Sequence, residues 1–165
     1  MKKNLEKEFY EIINPIINNK EFLKRKKFSH HGEESVYEHS LKVAFKAYKM
    51  AKKLKLDYKS AAIGGILHDF YTTPWMNAEK TRRFWKMHGF THAKIAYDNV
   101  CTYFPEYATP KIKDIIKKHM WPLNIRLPRY RETWIVTLSD KLVSLSVFKK
   151  PKDLPLYLGF KKRKK

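Results

Sequence analysis

The chain has 165 residues, 43% of them apolar, one cysteine and a formal charge of +20. That length and apolar share fit a single domain with its own core and exclude a disordered chain. The lone Cys101 excludes an internal disulfide and a multi-cysteine zinc site, and no apolar run approaches the ~18 residues that a membrane span needs. The charge suits a polyanionic partner. The lysines are nevertheless spread along the whole chain, so general composition explains it first, ahead of nucleic-acid binding or attraction of small phosphorylated substrates. The charged start, Met1 to Glu8, lacks an apolar signal core, which predicts a cytoplasmic protein.

Helical periodicity dominates. Residues 5 to 26 are amphipathic, with Leu5, Phe9, Ile12, Ile13, Ile16 and Ile17 at helical spacing and Pro15 as a point of kinking or division. A polar loop with His30-His31-Gly32 follows. Ser35 and Glu38 have the spacing of a capping box, opening a helix to about Leu54 whose inward face carries Val36, His39, Val43, Ala47 and Met50. Asp57 caps a helix over about 58–70, rich in Ala and Gly and hence suited to close approach. Residues 71–90 read as irregular and aromatic (Tyr71, Trp75, Phe84, Trp85, Phe90). Thr91 starts a helix to about Phe104, in which Cys101 reads as core packing. Pro110 opens another that ends near His119, and a longer helix covers about 131–148. No alternating strand, Gly-rich phosphate loop or repeat appears. The expected fold is an all-α, multi-helix orthogonal bundle: one domain over 1–150, its core about 28–148, with a basic extension over 151–165 whose end, Lys161 to Lys165, reads as a solvated run of like charge.

His68-Asp69 is the pair that carries chemistry. It ends the apolar stretch Ala61 to Leu67, and a buried Asp is rare unless paired or ligating a metal. His39 lies mid-helix on an apolar face. His119 completes the stripe Ile112, Ile115, Ile116, His119. Asp140 shares a face with Val136, Val143 and Val147. Any one of these is more simply a satisfied core residue. Together they place imidazoles and carboxylates on inward faces of several helices, and one divalent metal centre would satisfy them at once. The two oxygens of Asp69 would let it bridge two ions, which sets up two-metal phosphoryl chemistry.

The order His39, His68-Asp69, Asp140 resembles the HD superfamily of metal-dependent phosphohydrolases. So does the local text: Val36 to Ala44 (VYEHSLKVA), Gly65 to Asp69 (GILHD) and Leu138 to Lys141 (LSDK). The resemblance covers about residues 28–148. It implies an all-α core in which His39, His68, Asp69 and Asp140 bind metal. It also implies that a metal-bound hydroxide attacks a phosphate monoester or phosphoanhydride, with His68 and Asp69 as the catalytic residues and Asp69 orienting the nucleophile. Bimetallic members add two histidines in this interval, for which His92 and His119 are the candidates. That is similar to the branch that hydrolyses dinucleoside tetraphosphates and, more loosely, to cyclic-dinucleotide phosphodiesterases, whose Gly-Tyr-Pro signature is absent here. Iron or manganese are the implied ions, with magnesium, zinc, cobalt and nickel as alternatives, one or two per chain. His88 is the alternative to His92; Gly89 weighs against a helix starting early enough to hold both on one face. For substrate phosphate the candidates are Lys141, His31 and Lys118, and then Arg82, Arg83 and Arg126, while Trp121 either walls a pocket or packs. The expected substrate is a small phosphorylated molecule, a nucleotide by this resemblance. The alternative is a nucleic-acid-binding or nucleotide-sensing module on the same fold, without turnover.

Overall fold

A computed structural model of the chain describes residues 2–27, 34–71, 84–123 and 125–146, except for the side chains of 2, 84–91 and 146. Every regular element among them is a helix. In chain order these are α1 (Lys2–Ile17), α2 (Lys20–Leu23), a 3-10 turn (Lys24–Lys27), α3 (Val36–Lys53), α4 (Tyr58–Leu67), α5 (Phe84–Tyr103), a second 3-10 turn (Pro105–Tyr107), α6 (Pro110–Lys118) and α7 (Arg131–Ser146). The protein is all-α, as expected.

The starts of the inner helices follow the capping chemistry of the sequence. Ser35 and Glu38 form a full capping box on α3, Asp57 accepts the Ser60 N–H at the start of α4, and Thr109 accepts the Ile112 N–H ahead of Pro110 on α6. α1 continues through Pro15, which lies on the solvent side; the chain breaks only after Ile17, where Asn19 caps α2. Phe9, Ile13, Ile16 and Ile17 of α1 are buried.

α4 is the central element, in contact with α1, α3, α6 and α7. Ala61, Ala62, Gly64, Gly65, Ile66 and Leu67 are all buried, so the helix is apolar nearly all round, as a core helix must be. Gly65 lets α3 come close: a Cβ there would lie 2.7 Å from the Ala44 Cα. Gly64 likewise receives Ile115 of α6. Ile112, Ile115 and Ile116 seat α6 on the core, each contributing roughly 1.5–3 kcal/mol of burial.

Three expectations need correction. The α4 helix stops at Leu67 rather than near residue 70. The His68 ring takes the Gly65 carbonyl that the next helical turn would use, and the chain tightens through Phe70 N–H to Leu67 O. α5 begins at Phe84, well before Thr91, so residues 84–90 are helical and not irregular. An interior glycine costs only about 1 kcal/mol, and Gly89 does not stop the helix. Cys101 is exposed rather than core, because the buried stripe of α5 is Ala93, Ala96 and Val100, and Cys101 stands a further 100° round the helix. The parts of the reading that fall on 28–33, 72–83, 124 and 147–165 lie outside the described residues, including His30, His31, Trp75, Arg82, Arg83, Val147 and the basic extension.

Candidate metal centre

Three helices and the ends of two more bring the sequence-predicted ligands together. His39 projects from α3, His92 from α5 and Asp140 from α7, while His68-Asp69 and His119 follow the last turns of α4 and α6. His39, His68 and His119 are buried and His92 is partly so. His39 Nε2 lies 3.0 Å from Asp140 Oδ1, and His68 Nε2 lies 3.7 Å from that same oxygen and 3.4 Å from Asp69 Oδ2. The other Asp69 oxygen, Oδ1, faces His92 Nε2 at 3.7 Å and His119 Nε2 at 3.6 Å, and those two imidazole nitrogens are 3.4 Å apart. Asp69 thus sits between two sets of donors, with one oxygen toward each.

These separations have a chemical meaning. Ligands ~2.1 Å from one ion, in octahedral or tetrahedral arrangement, lie about 3.0–3.4 Å from one another. The ligand atoms of His39, His68 and Asp140 fall within 4.8 Å of one another, as do those of His68, Asp69 and His119. Hydrogen bonds on the far side of two rings fix which nitrogen is offered. His68 Nδ1 donates to Gly65 O at 2.8 Å and His119 Nδ1 donates to Ile116 O at 2.8 Å. Both acceptors are carbonyls at a helix C-terminus, where the backbone leaves them without intrahelical partners. Each ring is thereby oriented with Nε2 toward the centre, and this outer-shell arrangement is the one metal-binding histidines adopt. His68 Nε2 is buried and makes no hydrogen bond among the described residues. A cation is the partner that such an atom, facing two carboxylates, best accommodates.

The electrostatics agree. Burial disfavours charge on His68, but Asp69 and then Asp140 outweigh it and raise the imidazole to about 9. Burial, followed by repulsion from His68, holds His119 down at about 4 despite Asp69. Burial pushes the Asp140 carboxyl up, yet the bond to His39 and the proximity of His68 prevail and keep it well below the usual carboxylate range. The two carboxylates therefore favour positive charge beside them, which is the direction of the His68 shift.

Several supports carried no signal in the sequence. Glu34 lies 3.9 Å from His39 Nδ1 and pairs with Lys42 at 2.6 Å, an acidic group behind the ligand. Phe70 plugs the core directly after Asp69, its ring 5.9 Å from Phe22 and 5.4 Å from Phe104 with the Arg25 guanidinium 5.0 Å above it. Asn99 of α5 donates to the Phe70 carbonyl at 2.8 Å, which holds the His-Asp turn against α5. Tyr71 sets its ring edge on to His92, 6.4 Å between centroids; burial and then Asp69 push its phenol far up, so it stays neutral.

The predicted phosphate contacts are placed differently. The Lys141 amine donates to the Trp121 carbonyl; burial lowers its pKa and Asp140 works against that. Lys118 pairs with Asp114 at 2.5 Å and donates to the Leu127 carbonyl. Trp121 packs on Trp134, ring centroids 4.8 Å apart. Arg126 is exposed. The His88 side chain lies outside the described residues, and His92 is the α5 histidine observed at the centre.

The structure is an all-α bundle whose converging histidines and aspartates could hold a metal ion. The family model for the HD domain matches residues 36–145, well over half of the chain. The protein belongs to the HD-domain family, whose members are in general metal-dependent phosphohydrolases that bind divalent cations. No curated protein and no solved structure matches it.

Proposed function

We propose that the protein is a phosphohydrolase of a phosphate monoester or phosphoanhydride, with a nucleotide as the substrate class. In this reading His39, His68, Asp69 and Asp140 would hold one divalent ion, and His92, His119 and Asp69 would hold a second. The observation that carries it is the orientation of His68 and His119. Both rings spend Nδ1–H on a helix-terminal carbonyl and turn Nε2 on to the two faces of Asp69. A bound cation would supply Lewis acidity, acidifying a water and stabilising charge on the phosphoryl oxygens.

The chain's own residues do the rest. Asp69 orients the attacking water, and His68 stands between Asp69 and Asp140. Tyr71 covers His92 with an apolar ring edge. Nitrogen and carboxylate donors suit iron or manganese. Of the predicted phosphate ligands, Lys141 follows Asp140 directly and is the one this reading retains. Lys118 reaches a substrate only by leaving Asp114.

The test is elemental analysis of the anaerobically purified protein, followed by phosphate release from a panel of nucleotides. Two iron or manganese ions per chain, with turnover, support the six-ligand reading. One ion per chain at full activity makes His92 and His119 structural. No ion, even after manganese or iron is added, overturns the proposal.

A further inference from the structure

A second feature is lined by none of the predicted ligands. α5, α6 and the segment 126–130 enclose a groove of about 480 Å³. Its described lining includes Lys94, Lys113, Lys117, Lys118, Arg126 and Arg129, and none of the six predicted metal ligands. The acidic residue in that lining, Asp114, is already committed. One oxygen accepts the Arg129 and Tyr130 N–H groups at 2.9 and 3.3 Å and the Thr133 hydroxyl at 2.7 Å; the other pairs with Lys118 at 2.5 Å. The described lining thus holds six cations and one carboxylate around a single concavity.

Six cations against one carboxylate in a single lining is a local concentration of charge. Elsewhere several cations meet acids: Lys42 with Glu34, Lys52 with Glu8, Lys111 with Asp57, Lys24 with Glu21. The groove is also built rather than incidental. Asp114 clamps residues 129 and 130 on to α6, and the amines of Lys113 and Lys117 lie 5.6 and 4.9 Å from the centre of the Tyr97 ring. Like charges gathered on a concave surface repel one another and focus a positive potential that an anion relieves. The volume falls in the range of roughly 300–1,000 Å³ typical of ligand sites, more than one phosphate fills.

We propose that this groove binds a run of phosphate groups, either the backbone of a nucleic-acid strand or a polyphosphate chain. The proposal does not depend on the metal centre. It is tested by fluorescence anisotropy of the full-length protein with a labelled deoxythymidine oligomer, and by competition with inorganic tripolyphosphate, across a salt series. The variant carries Lys94→Glu, Lys113→Glu and Arg129→Glu. The control carries the same number of reversals on exposed lysines elsewhere, Lys3→Glu, Lys53→Glu and Lys59→Glu. Loss of three cations should weaken oligomer binding roughly tenfold or more and lower the salt slope by about 2, on the single-strand scaling of about 0.7 per phosphate contact. The control should bind like the parent. The three Gln replacements at 94, 113 and 129, which add no negative charge beside Asp114, guard against misfolding and should show a smaller loss in the same direction. Displacement of the oligomer by tripolyphosphate points to a phosphate chain as sufficient; binding without displacement points to a strand. Equal losses in groove and control variants, unaltered binding in the groove variants, or no binding of either probe overturns the proposal.

Discussion

Replacing Gly65 with Ala tests how the fold brings His39 and His68 together. The added Cβ would lie 2.7 Å from the Ala44 Cα and 3.2 Å from its nitrogen. Both are backbone atoms, so no side chain can swing aside. Ordinary contact begins near 3.4 Å, and α3 must therefore retreat from α4 by about 0.7 Å. Overpacking of this kind reaches about 3 kcal/mol, while alanine regains about 1 kcal/mol of helix propensity over glycine. The net is a loss of about 2 kcal/mol, which for a chain of this size lowers the melting temperature by about 4–8 °C. The same retreat draws His39 away from His68, whose ring centroids are 5.6 Å apart, so metal retention should fall as well. Calorimetry with elemental analysis reads both effects. A Gly65→Ala protein that melts at or above the parent temperature would refute the close-approach argument.

Other outcomes are expected. His68→Ala or Asp69→Asn should strip metal and reduce phosphatase activity by on the order of 100-fold or more, since even loss of an outer-shell partner costs 10–100-fold; full turnover by either would sink the ligand assignment. Asp114→Ala should destabilise the chain by about 2–4 kcal/mol while leaving metal content unchanged, because it strands the buried Thr133 hydroxyl and the part-buried Arg129 and Tyr130 N–H groups, and Asp114 is not among the predicted ligands. pH should act on the metal-free protein through two histidines. His68, raised to about 9, stabilises fully below 6.5, and that contribution is lost as pH climbs through 9. His119, lowered to about 4, refuses a proton that the unfolded chain accepts, so stability is lost as pH falls from 6.5 toward 4. The melting temperature in chelator should therefore peak near pH 6.5, and added metal should flatten the alkaline side by displacing the His68 proton. A flat alkaline limb in chelator would show that the carboxylates do not hold that proton.

Much was legible in the sequence because it is local. Capping by Ser35 and Asp57 needs only the next three residues, and the stripe Ile112, Ile115, Ile116, His119 is set by helical pitch alone. The candidate ligands His39, His68, Asp69, His119 and Asp140 were readable as polar groups on faces or ends that had to be buried, whereas His92 was offered only by the family resemblance. Element ends were less so. The halt of α4 at Leu67 depends on the His68 ring taking a carbonyl, and the early start of α5 on a helix that carries Gly89 through its interior. Cys101 turned outward because the α5 stripe runs through Ala96 and Val100, and its register is set by the partners it packs against. The tertiary structure alone decided that the two oxygens of Asp69 face different histidines, that Asn99 and Phe70 hold the turn, and that cations from α5, α6 and the 126–130 segment share a groove. Those relations join residues far apart in the chain. Periodicity says which face of a helix is buried, but not which helix it will meet.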